Sequence, residues 1–229
     1  RGIMKHELVC RPAATAVRLT LERGEEVTCE VGAMVAMSSG LTVETTSRSR
    51  GGGGILKGLK RMFSGESFFL NHFTAQRENQ TLLIAPSMMG DCIHHRMRGG
   101  TLIVQGSGWL ASHGKLEIDT TWQGFSSAIF SGESMFWVRC SGTGDLFLSS
   151  FGAIYEVDVQ GEYTVDTGHI VAFEDSLQFR ITKVSSSLIG SFLGGEGLVC
   201  RFQGQGKLYC QSHNAASLGA LLGPKLKPR

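Results

Sequence analysis

The side chains best suited to chemistry gather at Asp91-Cys92-Ile93-His94-His95, where a carboxylate, a thiol and two imidazoles share one short stretch. All are metal-ligating types, and His94, His95 and Cys92 form the candidate ligand set. Along an extended strand, however, neighbouring side chains point to opposite faces, so His94 and His95 cannot readily close on one ion. The stretch therefore reads better as structural, and no metal or other cofactor is expected. A second set of carboxylates, Glu66, Glu133 and Glu196, each follows a glycine: Gly65, Gly132 and Gly195. Three related carboxylates could line a common axis as ligands or proton carriers. The simpler expectation is that each fixes a corner by accepting hydrogen bonds from backbone or arginine donors. His-Glu-x-x-His, Gly-x-x-x-x-Gly-Lys and Gly-x-Ser-x-Gly are absent, and the run Gly51 to Gly54 does not fit the dinucleotide fingerprint. The expectation is a non-enzymatic protein.

These residues are positioned by a repeat. The Gly-Glu pairs at 65, 132 and 195 recur at near-equal spacing, and each opens a β-prone stretch: Ser67 to Phe73, Ser134 to Val138 and Gly197 to Phe202. A second shared block precedes each pair: Val31 to Ala36, Ser107 to Ala111 and Thr167 to Ala172. The chain is accordingly expected to be all-β, one domain of three repeats spanning about 15–87, 88–152 and 153–214, with a tail at 215–229. Val17-Arg18-Leu19-Thr20-Leu21 alternates as a half-buried strand should. The glycine-rich centres, such as Gln203-Gly204-Gln205-Gly206, predict that each repeat closes with a β-hairpin. That hairpin would set Cys200 opposite Cys210, read as two small buried hydrophobes rather than a bridge. Gln160-Gly161-Glu162 is expected to turn in the same way.

The first repeat carries an insertion. Arg48, Arg50, Lys57, Lys60 and Arg61 bring five cations, while Ile55, Leu59 and Met62 recur at helical spacing. This predicts a short amphipathic helix whose basic side could meet an anionic membrane surface, a protein partner or nucleic-acid phosphate. The alternative is a surface helix packed on the sheet with its lysines solvated.

Composition narrows the classes. A formal charge of +2 lacks the basic surplus of a dedicated nucleic-acid domain, and a hydrophobic fraction of 41% suffices for a sizeable core. Six cysteines without a Cys-x-x-Cys pair suit a reduced cytoplasm, and the N-terminal stretch lacks the apolar core of a signal peptide. The expected location is cytoplasmic or peripheral to a membrane.

The basic glycine-rich insertion ahead of Gly65-Glu66-Ser67-Phe68-Phe69-Leu70, together with Gly195-Glu196-Gly197-Leu198-Val199-Cys200-Arg201-Phe202 through Gln211-Ser212-His213-Asn214, resembles an uncharacterised bacterial family related to the fungal altered-inheritance-of-mitochondria (mitochondrial biogenesis) protein. The resemblance covers nearly the whole chain. It implies a fold like that of the trp RNA-binding attenuation protein (TRAP-like): a β-sandwich or short double-stranded β-helix, repeated about a pseudo-threefold axis. It also implies a homo-oligomer, and it supplies no catalytic residues. The functions it suggests are a scaffold or binding protein at a membrane surface or with protein partners, an RNA- or small-molecule-binding β module, or a cupin-like metal-binding protein.

Overall fold

The structure, a computed structural model, describes residues 3–49, 67–120, 137–183 and 198–226. It opens with β1 (Lys5–Val9), β2 (Ala16–Leu21), β3 (Glu26–Glu30), β4 (Met34–Met37), β5 (Leu41–Ser49), β6 (Ser67–Ala75) and β7 (Gln80–Ile84). Then come β8 (Cys92–Gln105), β9 (Trp109–Asp119) and β10 (Trp137–Ser149). The last third holds, among the described residues, β11 (Ile154–Asp166), β12 (Ile170–Glu174), β13 (Gln178–Lys183), β14 (Leu198–Gln211) and a short helix, α1 (Ala215–Leu222), capped by Asn214. The fold is all-β and every strand pair is antiparallel. Alternation is the local cause. β2 buries Val17, Leu19 and Leu21 and leaves Arg18 exposed, and β3 buries Val27 and Cys29, as expected for strands with one face on a core.

Two sheets result. One is ordered β1-β2-β7-β4; the other runs β11-β14-β12-β8-β10-β9-β3-β6-β5, with β13 added to β14. Three apolar clusters lie along them: one around Leu19, Phe73 and Phe147, a second around Trp109, Val138 and Leu148, and a third around Phe173, Phe202 and Leu208. Successive thirds of the chain are joined by strand addition. β9 lies along β3 through Ala111 opposite Cys29, and β12 lies along β8 through Ala172 opposite Val104.

The expected closing hairpins do not form. β14 is one continuous strand that pairs with β11 from Ile154 opposite Gln211 to Asp166 opposite Val199. β10 likewise runs unbroken beside both β8 and β9. The glycines serve bulging and close approach instead of chain reversal. Gly142 has φ 113° at an irregularity in the β10–β8 pairing, and a Cβ there would sit 2.3 Å from the Lys115 carbonyl oxygen. Gly204 faces Gly161 across β14 and β11, so the turn expected at Gln160-Gly161-Glu162 is also absent. In the first third, β6 and β7 are not a hairpin either, since they belong to different sheets. Cys200 and Cys210 therefore lie along one strand, both buried and both free, and do not face each other.

Several residues singled out in the sequence lie outside the described residues: Arg50, Ile55, Lys57, Leu59, Lys60 and Arg61 of the insertion, and Gly65, Glu66, Gly132, Glu133, Gly195 and Glu196. Arg48 falls within β5, opposite Phe68. Among the described residues no helix is long and apolar enough to cross a membrane.

Candidate functional site

Strand register splits the histidine pair. His94 and His95 are consecutive on β8, so their rings leave opposite faces of the sheet. His95 Nδ1 lies 2.8 Å from the Tyr209 hydroxyl on β14, and burial lowers its pKa. His94 turns the other way, and its Nε2 donates to Asp145 Oδ1 at 2.7 Å. Cys92 is buried; its thiol is pushed up to about 12 by burial and by the adjacent Asp91 carboxylate. The three candidate ligands are thus not brought together. Among the described residues no group of three His, Cys, Asp or Glu side chains is placed to hold an ion.

His94 belongs to a different cluster, centred on Asp145 of β10. Asp145 is directly opposite Arg96 on β8 and His113 on β9, and it is fully buried. Its Oδ2 accepts from Arg96 Nη1 at 2.8 Å, from the Met4 backbone N–H at 3.0 Å and from His113 Nδ1 at 3.3 Å. The His6 ring stacks near that of His94, with centroids 4.2 Å apart. Burial pushes the Asp145 carboxyl up, but the four donors outweigh it and hold its pKa at about 2. His94 is shifted down, because burial disfavours the imidazolium more than the carboxylate favours it. A low carboxylate with every approach filled by a donor neither accepts a proton at neutral pH nor opens toward a substrate. Asp91 is used similarly: Arg11 grips both of its oxygens, at 3.0 and 2.6 Å, and Thr15 donates to Oδ1 at 2.7 Å. Together the two carboxylates tie the N-terminal segment to the middle of the chain.

A cleft of about 340 Å³ lies where four strands end. Glu30, Gln105, Ser149 and Gln211, the last residues of β3, β8, β10 and β14, line it with Ser107 and Ser150. Gln211 is fixed at both ends of its amide, accepting from the Phe151 N–H at 2.9 Å and donating to the Gly168 carbonyl at 2.9 Å. Ser149 donates to the Ser107 carbonyl at 3.3 Å. Glu30 is half-buried, and burial pushes its carboxyl up to about 7, so near neutral pH it is divided between donor and acceptor forms.

Neither Asp145 nor Glu30 was singled out from the sequence. Asp145 carried a signal, a lone carboxylate ahead of the apolar run Leu146-Phe147-Leu148. Glu30 carried none, because its place in an alternating strand reads as solvent-facing.

The family model described as mitochondrial biogenesis AIM24 matches residues 6–213. The chain belongs to the AIM24 family. A similar relative is an uncharacterised protein of Streptococcus pyogenes serotype M6, 28% identical over 211 residues, which cover 90% of this chain and 84% of that protein. An X-ray crystal structure of a Streptococcus pyogenes protein superposes with a TM-score of 0.78 at 26% identity, covering 97% of this AIM24 chain and all of the other.

Proposed function

We propose that this AIM24-family chain is a non-enzymatic binding protein that seats a small polar ligand, or a polar group of a partner, in the cleft at Glu30. The observation that carries this reading is the Glu30 carboxyl, raised to about 7 in a cleft that serines and glutamines line together with Met88, Phe151 and Ala215. Such a lining can offer matched donors and acceptors to a hydroxylated or amide-bearing molecule. The ionisable cluster at Asp145 supports a non-catalytic role, since its carboxylate is committed to four donors. The test is a saturation-transfer screen of small hydroxylated and amide-bearing compounds against the protein and its Glu30→Gln variant. The reading expects compounds that bind the wild type and are weakened by the substitution. Compounds that all bind both proteins equally would sink it.

A second reading, a scaffold at an anionic membrane surface, draws on the five cations between Arg48 and Arg61. It expects flotation with anionic vesicles but not neutral ones, lost at high salt and lost when Lys57, Lys60 and Arg61 are changed to glutamine. Equal flotation of that triple variant would remove it. Filter binding to RNA and elemental analysis for metal check the remaining two readings, nucleic acid and a cupin-like metal protein.

A further inference from the structure

Three short strands, β4, β9 at its start and β12, meet their partners with the same irregularity. In β9, Trp109 and Ala111 lie opposite Leu148 and Phe147, with Leu110 as the extra residue. In β12, Ile170 and Ala172 lie opposite Cys210 and Tyr209, with Val171 extra. In β4, Met34 and Ala36 lie opposite Ile84 and Leu83, with Val35 extra. The three strands are thus register-equivalent, and all three are apolar.

Their burial differs sharply. Leu110 and Val171 are 0% exposed, as are the alanines Ala111 and Ala172, whereas Val35 is 58% exposed and Ala36 is exposed with it. The cause lies on the outer edge. β9 is covered by β3, with Ala111 opposite Cys29 and Ser112 opposite Thr28. β12 is covered by β8, with Ala172 opposite Val104 and Phe173 opposite Ile103. Among the described residues β4 ends its sheet and has no such cover. The covering residues are the next-to-last of β3 and β8 and the residues before them. Their counterparts on β11 are Val165, Thr164 and Tyr163, and among the described residues β11 also ends its sheet, with Thr164 exposed and Tyr163 39% exposed. The core clusters tell the same story. The first takes in Leu110 and Ala111, the second Val171 and Ala172, and the third, which contains Val165, receives nothing from β4.

We infer that the chain associates with further copies of itself head to tail, the edge of β4 adding antiparallel to the edge of β11 in the next copy. Ala36 then faces Val165, Met37 faces Thr164 and Ser38 faces Tyr163, continuing between chains the junction that joins β9 to β3 and β12 to β8 within one. An edge strand presents unpaired amide and carbonyl groups, and here both edges, one apolar and one uncharged at the contact, are supplied by the same molecule. Because the two surfaces differ, the interface is heterologous and propagates until it closes on itself.

The experiment is native mass spectrometry with light scattering on the full chain and two variants, Val35→Glu and Thr164→Glu. Both side chains are exposed in the single chain, so circular dichroism should be unchanged; if Val35→Glu fails to fold, Met37→Lys replaces it. The wild type is expected as a multiple of the 24.7 kDa chain and each variant alone as a single chain. An equimolar mixture of the two should recover a dimer containing one of each, since each variant keeps the edge the other has lost. A monomeric wild type, including one whose β4 and β11 close within the chain, would overturn the inference. So would variants that keep the wild-type mass, or a mixture that remains monomeric.

Discussion

Replacing Glu30 by glutamine isolates the physics of the cleft. The folded protein raises this carboxyl from the ordinary 4.5 to about 7 by burial, so the folded state binds the proton more tightly than the unfolded chain does. Its favourable contribution is full below pH 4.5 and is lost as pH rises through 7, where the carboxylate must ionise inside the cleft. At about 1.4 kcal/mol per pKa unit the loss would reach about 3 kcal/mol; water reaching this half-buried side chain brings it to roughly 1.5–3 kcal/mol. Glutamine has no such titration. Urea unfolding of both proteins from acid to alkaline pH should therefore show a difference near zero below pH 4.5 that grows in favour of Glu30→Gln and levels off above pH 7. At pH 8 the variant should melt higher by about 3–10 °C for a chain of this size. A difference independent of pH, or a variant less stable at pH 8, would refute the reasoning.

Asp145→Asn should destabilise by about 3–5 kcal/mol in urea unfolding, because Arg96 and the Met4 N–H lose a buried charged acceptor. With its pKa held near 2 against an ordinary 3.8, Asp145 stabilises above pH 3.8 and loses that contribution as pH falls through 2; the variant's acid limb should be correspondingly flatter. His94, shifted down, adds a loss of stability as pH falls below its ordinary 6.5. Gly142→Ala should cost more than about 1 kcal/mol, since it forces a Cβ onto the Lys115 carbonyl at a φ of 113°; an unchanged unfolding midpoint would argue against the close approach.

What could be read from the sequence followed from local rules. The alternation of Val17, Leu19 and Leu21 marked β2, and the shared blocks at 31–36, 107–111 and 167–172 fall at β4, the start of β9 and the start of β12. Glycine misled where it was read as a turn, because Gly204 and Gly161 are opposite each other in two continuous strands, a relation between residues far apart in the chain. The opposed directions of His94 and His95 followed from strand geometry alone, but the partner of His94 did not, since Asp145 reaches it only through the β8–β10 register. Glu30 was invisible for the same reason. What surrounds it comes from Gln105, Ser149 and Gln211, at the ends of strands from the other two thirds.

The binding reading is tested most directly by amide chemical-shift mapping of the labelled protein, titrated with the compounds that the saturation-transfer screen selects. The account predicts saturable shifts concentrated at Glu30, Gln105, Ser107, Ser149 and Gln211, reduced in Glu30→Gln. Saturable shifts confined to other surfaces, with the cleft unmoved, would contradict it.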